Sequence, residues 1–277
     1  MFVKIYVIIT CYNRSEKTIN CIEKIIKGNS SINFEFVIVD DDSTDSTVEQ
    51  LQIMNKLYNN ITVIHGDGNL FYSRGMRKGM LYILQENPIF DYILLANDDV
   101  DFFERSIMRL IEKSKEKNNA VITGATCSED TQELTYGGIK YKKGSIKYKT
   151  LGIADSSICC DTFNANCVLI PSDIFKKTPA MDSFYHHSMG DFDYGLSLRR
   201  KGYLIYTSDF YVGTCNKNSL KNTWQDKELS IITRFKKKDS PKGAPLKTWF
   251  YFLKKNFGLY TALLHGFTPY IRILTKK

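Results

Sequence analysis

The chain has 277 residues, of which 43% are hydrophobic and 25% are charged. This composition is ordinary for a globular protein and excludes a disordered or fibrous chain, and the length allows a large buried core. The formal net charge is +8, but residues 234–277 hold eleven Lys and Arg against one acid, a sum of +10, so residues 1–233 sum to −2.

The sequence shows no leader and no membrane span. The first ten residues are apolar but lack a small-residue cleavage site, and no run of about 20 apolar residues occurs. The seven cysteines are odd in number and none has C-x-x-C spacing, which argues against a zinc site or a disulfide framework. We therefore expect reduced thiols in a cytoplasmic protein.

Strand-like and helix-like segments alternate through the first half of the chain. Apolar, β-branched runs predict strands buried on both faces at 3–10, 34–39, 61–64, 92–96 and 120–126. Ser15 and Ser46 are predicted helix N-caps, the second in a capping box with Glu49. Further helices are predicted around 76–85 and 107–111. The alternation predicts an α/β fold with a Rossmann-like, mostly parallel central sheet flanked by helices.

The second half is predicted to contain shorter elements. These are a glycine-punctuated hairpin at 134–150, strands at 160–170 and 203–206, and a helix at 191–201 that Gly202 closes. Residues 236–243 are predicted to be a polar linker. Beyond it, apolar residues recur at helical spacing, which predicts a C-terminal helical tail.

Polar residues follow three of the predicted strands. Asn13 and Arg14 follow the first strand, Asp40 to Asp42 follow the second, and Asn97 to Asp99 follow the fourth. Ligands of open α/β sheets bind beyond the carboxyl ends of the strands. Three polar clusters at corresponding places therefore predict one shared site.

The pair Asp98 and Asp99 is the strongest single signal. Two adjacent acids at the end of an apolar strand repel each other and resist burial unless a cation neutralises them. A hard divalent ion with oxygen ligands is a natural partner and can bridge two phosphates. The alternative is a solvated turn with helix-capping acids, and the residues alone leave both open.

Two further acidic clusters have a functional and a structural interpretation. Asp40 to Asp42 could accept hydrogen bonds from a base or a ribose, or could line a helix N-terminus that favours acids. Asp191, at the start of a predicted helix, could be the general base for a hydroxyl or an ordinary N-cap.

Four motifs occur in order within residues 3–215: I-I-T-C-Y-N-R, I-V-D-D-D-S-T-D-S-T, L-L-A-N-D-D-V and G-D-F-D-Y-G-L-S-L-R-R-K-G-Y. Through them the chain resembles the family 2 glycosyltransferases. The segment 66–72 is similar to a donor-side loop of a bacterial, rhamnosyltransferase-like branch. The resemblance implies a GT-A fold and an inverting, metal-dependent transfer of a sugar from a UDP- or dTDP-sugar to an acceptor hydroxyl. Bacterial surface polysaccharide synthesis is the expected setting.

The resemblance also implies domains and residue roles. A catalytic domain is expected at 1–233, with a nucleotide-binding half at about 1–127 and an acceptor half at about 128–233, followed by the tail at 234–277. Asp191 would be the catalytic base, and Asp99 with Asp98 would hold Mn²⁺ or Mg²⁺. The nucleotide-sugar would be held by Thr10, Tyr12, Arg14, Asp40, Asp41, Asn69, Arg74, Lys78, Asn97 and Asp98.

Two positions depart from the family pattern. Met76 stands where many members have a phosphate-facing Arg, so Arg74, Arg77 or Lys78 is expected to substitute. Cys215 or Asn216 stands where a His often completes the metal shell. These departures make a catalytically impaired carbohydrate-binding subunit one alternative. The sequence Asp40-Asp41-Asp42-Ser43-Thr44 also matches D-x-D-x-T, which makes a haloacid-dehalogenase-like phosphatase another.

The partners that the resemblance implies are a nucleotide-sugar donor and a glycan or lipid-linked acceptor. Nine aromatic and eleven basic residues in the tail suit a membrane surface with anionic lipid, which would place the chain peripherally at the inner face of a membrane. The tail could instead dock on the catalytic domain or on a second subunit in a homodimer. No nucleic-acid-binding module is recognised, so no nucleic-acid partner is expected.

Overall fold

The computed structural model describes residues 3–275; Met1 and Phe2, and Lys276 and Lys277 of the predicted tail, lie outside the described residues. The strands are β1 Val3–Cys11, β2 Ile32–Asp40, β3 Ile61–His65, β4 Tyr92–Ala96, β5 Asp101–Phe102, β6 Val121–Cys127, β7 Leu134–Tyr136, β8 Gly138–Tyr141, β9 Tyr148–Leu151, β10 Thr162–Phe163, β11 Cys167–Pro171 and β12 Ile205–Thr214. The helices are α1 Ser15–Gly28, α2 Thr47–Tyr58, α3 Phe71–Glu86, α4 Ser106–Glu116, α5 Ser172–Lys176, α6 Gly190–Arg200, α7 Ile231–Lys238, α8 Leu246–Phe257, α9 Leu259–His265 and α10 Thr268–Leu274.

The central sheet has the strand order β3-β2-β1-β4-β11-β6-β12-β5, and β7 pairs with β6. Strands β3, β2, β1, β4, β6 and β12 run in one direction, whereas β11, β5 and β7 run against them. The prediction of a mostly parallel sheet flanked by helices is confirmed, with these three antiparallel strands as the addition. A second, three-stranded sheet has the order β10-β8-β9.

Strand β1 shows why the predicted strands are uninterrupted apolar runs. Ile5, Val7 and Ile9 belong to one buried cluster, on the face covered by α1 and α4. Ile8 belongs to a second cluster, on the face covered by α3. Because helices cover both faces, consecutive positions in the middle of the strand, Val7 to Ile9, all carry buried apolar side chains.

Of the two predicted caps, Ser46 is confirmed as the N-cap residue of α2 but without the predicted side-chain bond, and Ser15 is wrong because Arg14 is the N-cap of α1. Ser15 is the first residue of α1, and its N–H donates to Asp45 Oδ2 at 3.2 Å. Ser46 makes no capping bond; its hydroxyl meets that of Ser15 at 3.1 Å, while Asp45 Oδ1 accepts from the Thr47 N–H at 2.9 Å. Because α1 and α2 begin side by side, one aspartate serves both helix starts.

The segment predicted as a polar linker is structured. Residues up to Lys238 belong to α7, and two cations in this helix are buried, Arg234 and Lys238. The Arg234 guanidinium donates to the carbonyls of Trp224, at 2.9 Å, and Ile273, at 3.3 Å. The Lys238 ammonium donates to the Gly243 carbonyl at 2.8 Å. Burial is possible because backbone carbonyls replace the water around each charge.

The tail packs on the rest of the chain through α8. Phe252 and Leu253 are buried against Tyr185 and Phe192, which flank the start of α6. Polar contacts reinforce this docking, since Asp193 accepts from Lys255 at 2.7 Å and from Asn256 at 2.9 Å. Helix α8 is therefore docked on the rest of the chain. Docking was one of the two arrangements of the tail that the sequence left open.

Two further expectations concern the state of the cysteines and the presence of membrane-spanning helices. All seven cysteines are free thiols. Within residues 3–275, no helix combines the length and the apolar character that crossing a bilayer requires.

Docking of α8 predicts different costs for two aromatic substitutions in the tail. Phe252 is 2% exposed, so Phe252→Ala should lower the free energy of unfolding by about 3 kcal/mol through lost burial and a cavity. Tyr260 is 76% exposed, and Tyr260→Ala should change it by less than about 0.5 kcal/mol. Urea unfolding of both variants measures the difference. Equal costs would mean that α8 is not docked in solution.

Candidate active site

The polar clusters that follow β1, β2 and β4 lie side by side because these strands are parallel neighbours. The turn between β10 and β11 joins them to the start of α6. In this turn the Ala165 N–H donates to Asp191 Oδ2 at 3.3 Å. Asn166 pairs with Asn97, through its carbonyl at 3.0 Å and its side-chain oxygen at 3.1 Å. Ala165 and Asn166 therefore connect Asp191 to the acidic loop that follows β4.

Asp40 and Asp41 have structural duties at the end of β2. Asp40 is 1% exposed, and its Oδ2 accepts from the Ser43 N–H at 3.1 Å. Asp41 accepts from the N–H groups of Leu70, at 3.1 Å, and Phe71, at 2.9 Å, and so holds the start of α3. A Cβ at Gly66 would lie 2.5 Å from Asp41 Oδ1, so the loop after β3 needs glycine there.

Asp98 is buried and faces α1. Its Oδ1 lies 2.5 Å from Arg14, and its Oδ2 accepts from the Thr18 hydroxyl at 3.3 Å. Burial raises the pKa of Asp98 to about 6, against the opposing effect of Arg14. Arg14 also reaches Asp99 Oδ2 at 3.4 Å. The cation that two adjacent acids require is thus supplied in part by the chain itself.

Asp99 is the carboxylate of this pair that faces the cleft, with 28% of its side chain exposed. Its Oδ1 lies 3.7 Å from the Cys215 sulfur. Burial, and next the charge of Asp99, raises the pKa of the Cys215 thiol to about 12, so a neutral thiol stands beside the carboxylate. Asn216 is turned away and accepts from the Ser128 hydroxyl at 2.9 Å. Of the two residues expected in place of the family histidine, only Cys215 contacts Asp99.

The donor set limits the kind of metal that fits. Within the described part of the chain, no three His, Cys, Asp or Glu side chains form a group that could hold an ion. One carboxylate suits Mg²⁺ or Mn²⁺ when substrate phosphates and water supply the remaining oxygens. Asp99 therefore fits an ion that arrives with its substrate, and not an ion caged by protein ligands.

Asp191 lies in the first turn of α6 and is half-buried. Its Oδ1 accepts from the Phe192 N–H at 2.8 Å and its Oδ2 from Ala165, so the carboxylate is fixed in orientation. Burial raises the pKa of Asp191 to about 6, and these backbone N–H groups oppose the rise. A fixed carboxylate with a pKa close to neutrality is suited to accept a proton.

Three tyrosines surround the cleft beside Asp191. The Tyr72 hydroxyl donates to the Ala165 carbonyl at 3.3 Å. Burial raises the pKa of Tyr72, and the charges of Asp191 and Asp99 raise it further, so both acids act on this hydroxyl. Burial and Asp191 also raise the pKa of Tyr148, and Tyr141 packs edge-on against Tyr148 at 5.7 Å. Aromatic walls of this kind can stack on a sugar ring.

The remaining predicted donor contacts are spread along the same edge. Thr10 packs against Gly75, Tyr12 is 54% exposed, and Asn69 lies in the loop between β3 and α3. Lys78 is bound to the His65 carbonyl at 2.5 Å. Arg74 instead lines a cavity near the tail, on the side of the loop at 182–187.

Sequence reasoning missed the residues that connect the site. Thr18 and Asn166 hold Asp98 and Asn97 respectively. The predicted strand at 160–170 is in fact interrupted, with β10 ending at Phe163 and β11 beginning at Cys167. The signal was present in Asn164-Ala165-Asn166, a polar break inside an apolar run.

The fold is of the GT-A type. The structure resembles the mannosyltransferase PcManGT from Pyrobaculum calidifontis, solved in complex with GDP-Man and Mn²⁺, with a TM-score of 0.58 and 14% sequence identity. The match covers 98% of this chain and 78% of that one. At this identity the likeness shows the fold alone.

The family follows from the sequence. Residues 6–167 match the model of glycosyl transferase family 2, more than half of the chain, and the chain belongs to that family. A poly(ribitol-phosphate) beta-glucosyltransferase of Bacillus spizizenii (strain ATCC 23059 / NRRL B-14472 / W23) is 26% identical over 122 residues. That match spans 44% of this chain but only about a fifth of the length of the relative, 19%.

Proposed function

We propose that this chain transfers a sugar from a nucleotide-diphosphate sugar to an acceptor hydroxyl, with inversion at the anomeric carbon. The observation that carries the proposal is the meeting of Asp99 and Asp191 at one cleft, across the turn formed by Ala165 and Asn166. Asp99 faces the position proposed for the donor diphosphate, and Asp191 is oriented to act as a base.

The proposed step is a single displacement. Asp191 takes the proton of the acceptor hydroxyl, whose oxygen forms a bond to the anomeric carbon. The bond from that carbon to the diphosphate breaks on the opposite face, and the nucleoside diphosphate leaves with the electron pair. A divalent ion at Asp99, when bound, would supply stabilisation of the negative charge on the diphosphate.

The rest of the site supports binding of the donor. Asp41 keeps the loop after β3 close to the start of α3, where backbone N–H groups and Asn69 border the predicted nucleotide position. Arg14 holds Asp98 and Asp99 in place beside it. The phosphatase alternative is disfavoured because Asp40, its nucleophile, is almost fully buried.

The substrates are proposed from the relatives. The curated relative is named for glucosylation of poly(ribitol-phosphate), and the structural neighbour was solved with GDP-Man and Mn²⁺. We infer a UDP- or dTDP-sugar as donor, with GDP-Man in the test panel, and a bacterial surface polysaccharide or its lipid-linked precursor as acceptor.

The proposed donor chemistry predicts release of a nucleoside diphosphate from one nucleotide-sugar of a panel in the presence of Mn²⁺. Asp99→Asn and Asp191→Asn should each lower the rate about a hundredfold or more, because each removes a group that acts at the reacting atoms. Asp130→Asn, in an exposed loop, is the matched control and should be unaffected. Absence of binding and cleavage for every donor would favour a carbohydrate-binding subunit instead.

The environment of Asp191 predicts the acid limb of the pH profile. The base must be ionised, and burial raises its pKa to about 6, so kcat/KM for the acceptor should fall about tenfold per pH unit below that value. Above that pH, ionisation of Asp191 should no longer change kcat/KM. Initial rates between pH 4.5 and 8, at saturating donor, measure the limb. A midpoint near the ordinary value for aspartate would contradict the assignment.

The partner of the tail is proposed to be an anionic membrane surface. Helices α9 and α10 expose seven large apolar side chains, each between 53% and 76% exposed: Leu259, Tyr260, Leu263, Leu264, Phe267, Ile271 and Leu274. We name this surface the apolar face. The sequence has no acid from Ser240 to Thr275, and the exposed cations Lys254 and Arg272 lie in the same segment. An apolar face without acids and with nearby cations suits the headgroup region of an anionic bilayer.

Membrane binding through the apolar face predicts co-sedimentation of the chain with phosphatidylglycerol-containing vesicles. Leu264→Glu should weaken this binding about tenfold, because burial of a leucine contributes roughly 1.5–3 kcal/mol and a new charge is repelled. The matched control is Leu57→Glu on α2, since Leu57 is 73% exposed and lies outside the face. Equal vesicle binding of the two variants would contradict a role of the apolar face in lipid binding. A dimer that only Leu264→Glu disrupts would show that the apolar face is an interface between two copies of the chain.

A further inference from the structure

A cavity of about 650 Å³ lies between the catalytic domain and the tail. One wall is the loop at 182–187, which comes just before Asp191 in the chain. The opposite wall is the tail segment from Pro241 to Tyr251, and Arg74 of α3 closes one side. The tail and the catalytic domain therefore build this cavity together, and neither encloses it alone.

Arg74 and Lys247 line the cavity, and neither forms an ion pair with a described residue. Of the three candidates for the missing family arginine, Arg77 donates to the Met181 carbonyl at 2.6 Å and Lys78 to the His65 carbonyl at 2.5 Å. Among the described residues, no carboxylate lies within ion-pair distance of Arg74 or of Lys247. These two cations are therefore available to a ligand.

The acids that line the cavity are already bound by donors. Asp182 accepts from Lys255 at 2.7 Å and from the Tyr251 hydroxyl at 2.8 Å. Asp239 accepts from the Tyr270 hydroxyl. Asp182 is thus paired with Lys255, and neither acid is bonded to Arg74 or Lys247, so these two cations can contact an anion in the cavity.

Two histidines add hydrogen-bonding groups without adding acids. The His186 carbonyl accepts from the N–H groups of Ser73 and Arg74, at 3.0 Å and 3.3 Å, and the His187 carbonyl accepts from the Ser73 hydroxyl at 2.6 Å. Burial lowers the pKa of both imidazoles, and a cation adds to the effect in each case, Arg74 for His186 and Lys242 for His187. Both rings are therefore neutral near pH 7.

The cavity lies next to residues that surround Asp191. The His187 ring packs edge-on against Tyr72 at 6.3 Å, and the charges of Asp191 and Asp99 both raise the pKa of Tyr72 beyond the effect of burial. A Cβ at Gly190, the residue before Asp191, would lie 2.4 Å from the Ser73 hydroxyl, so the loop, α3 and α6 are in close contact here. The loop at 182–187 therefore connects the cavity to the helix start that carries Asp191.

We propose that this cavity binds a phosphate group of the acceptor, through Arg74, Lys247 and the two histidines, so that the preferred acceptors are phosphorylated glycans or polyols. The inference rests on the proposed function for its acceptor role. Arginine and lysine are the side chains that recognise phosphate, and a cavity between two parts of the chain can hold it apart from the donor diphosphate.

The first test measures binding without catalysis. Calorimetric titration of the full chain with glycerol 3-phosphate should show binding in EDTA, and the binding should persist in Mn²⁺ when UDP saturates the donor site. Arg74→Gln and Lys247→Gln should each weaken it about tenfold, the loss expected for one charge-assisted contact. Lys56→Gln, at an exposed lysine of α2 that does not line the cavity, is the control and should bind as the wild type does. No binding, competition by UDP, or an equal loss in Lys56→Gln would overturn the proposal.

The second test distinguishes a soluble phosphorylated acceptor from a lipid-linked one. It also distinguishes failure of the acceptor role from failure of the proposed function. With the donor identified in the panel, sugar transfer is compared among a soluble phosphodiester oligomer, a polyprenyl-diphosphate-linked saccharide and a neutral saccharide. Lys247→Gln should raise the acceptor KM about tenfold for the phosphorylated acceptors and leave kcat and the neutral saccharide unchanged. Transfer with no such preference overturns the acceptor role, whereas glycerol 3-phosphate binding with no transfer to any acceptor overturns the function and not the cavity.

Discussion

The antiparallel pairing of β11 with β4 is the constraint on which the site depends. Cys167 is opposite Ala96 in this pairing, so the two residues before Cys167 must lie beside the acidic loop that follows Ala96. One of these two residues, Ala165, donates its N–H to Asp191. A strand that ran parallel to β4 would have carried this turn to the other edge of the sheet and left Asp99 and Asp191 apart.

The acids of the site differ in their surroundings, and the differences match their proposed roles. Asp98 is bound by Arg14 and Thr18 and maintains the loop, whereas Asp99 keeps 28% of its side chain exposed towards the cleft. Asp191 has neither a cation nor another acid as a hydrogen-bond partner, only two backbone N–H groups. Burial therefore raises its pKa without an ion pair to reverse the effect, which is the condition for a base that works near neutral pH.

The tail is joined to the catalytic chemistry through α6. Asp193 lies one half-turn beyond Asp191 and is held by Lys255 and Asn256 of α8. The helix that carries the proposed base is thus fixed on its far side by the tail. Through α8 the tail also forms a wall of the cavity, and through α9 and α10 it carries the apolar face. Position of the base, binding of the acceptor and contact with a membrane would consequently depend on one docked segment.

Sequence alone determined the α/β class, the order of the first strands and the family, because buried parallel strands leave long apolar runs and the acids at their ends keep a fixed spacing. It also identified Asp98, Asp99 and Asp191 as acids at element ends. It could not determine that Asp45 rather than Ser15 or Ser46 serves two helix starts, since that depends on two helices that begin side by side. Nor could it show that Arg14 neutralises Asp98, that the segment at 236–243 buries Lys238, or that Asn166 joins the two halves of the site. Each of these is a contact between residues distant in the chain, or a burial that only such contacts create, and local pattern carries no information about which distant group will be present.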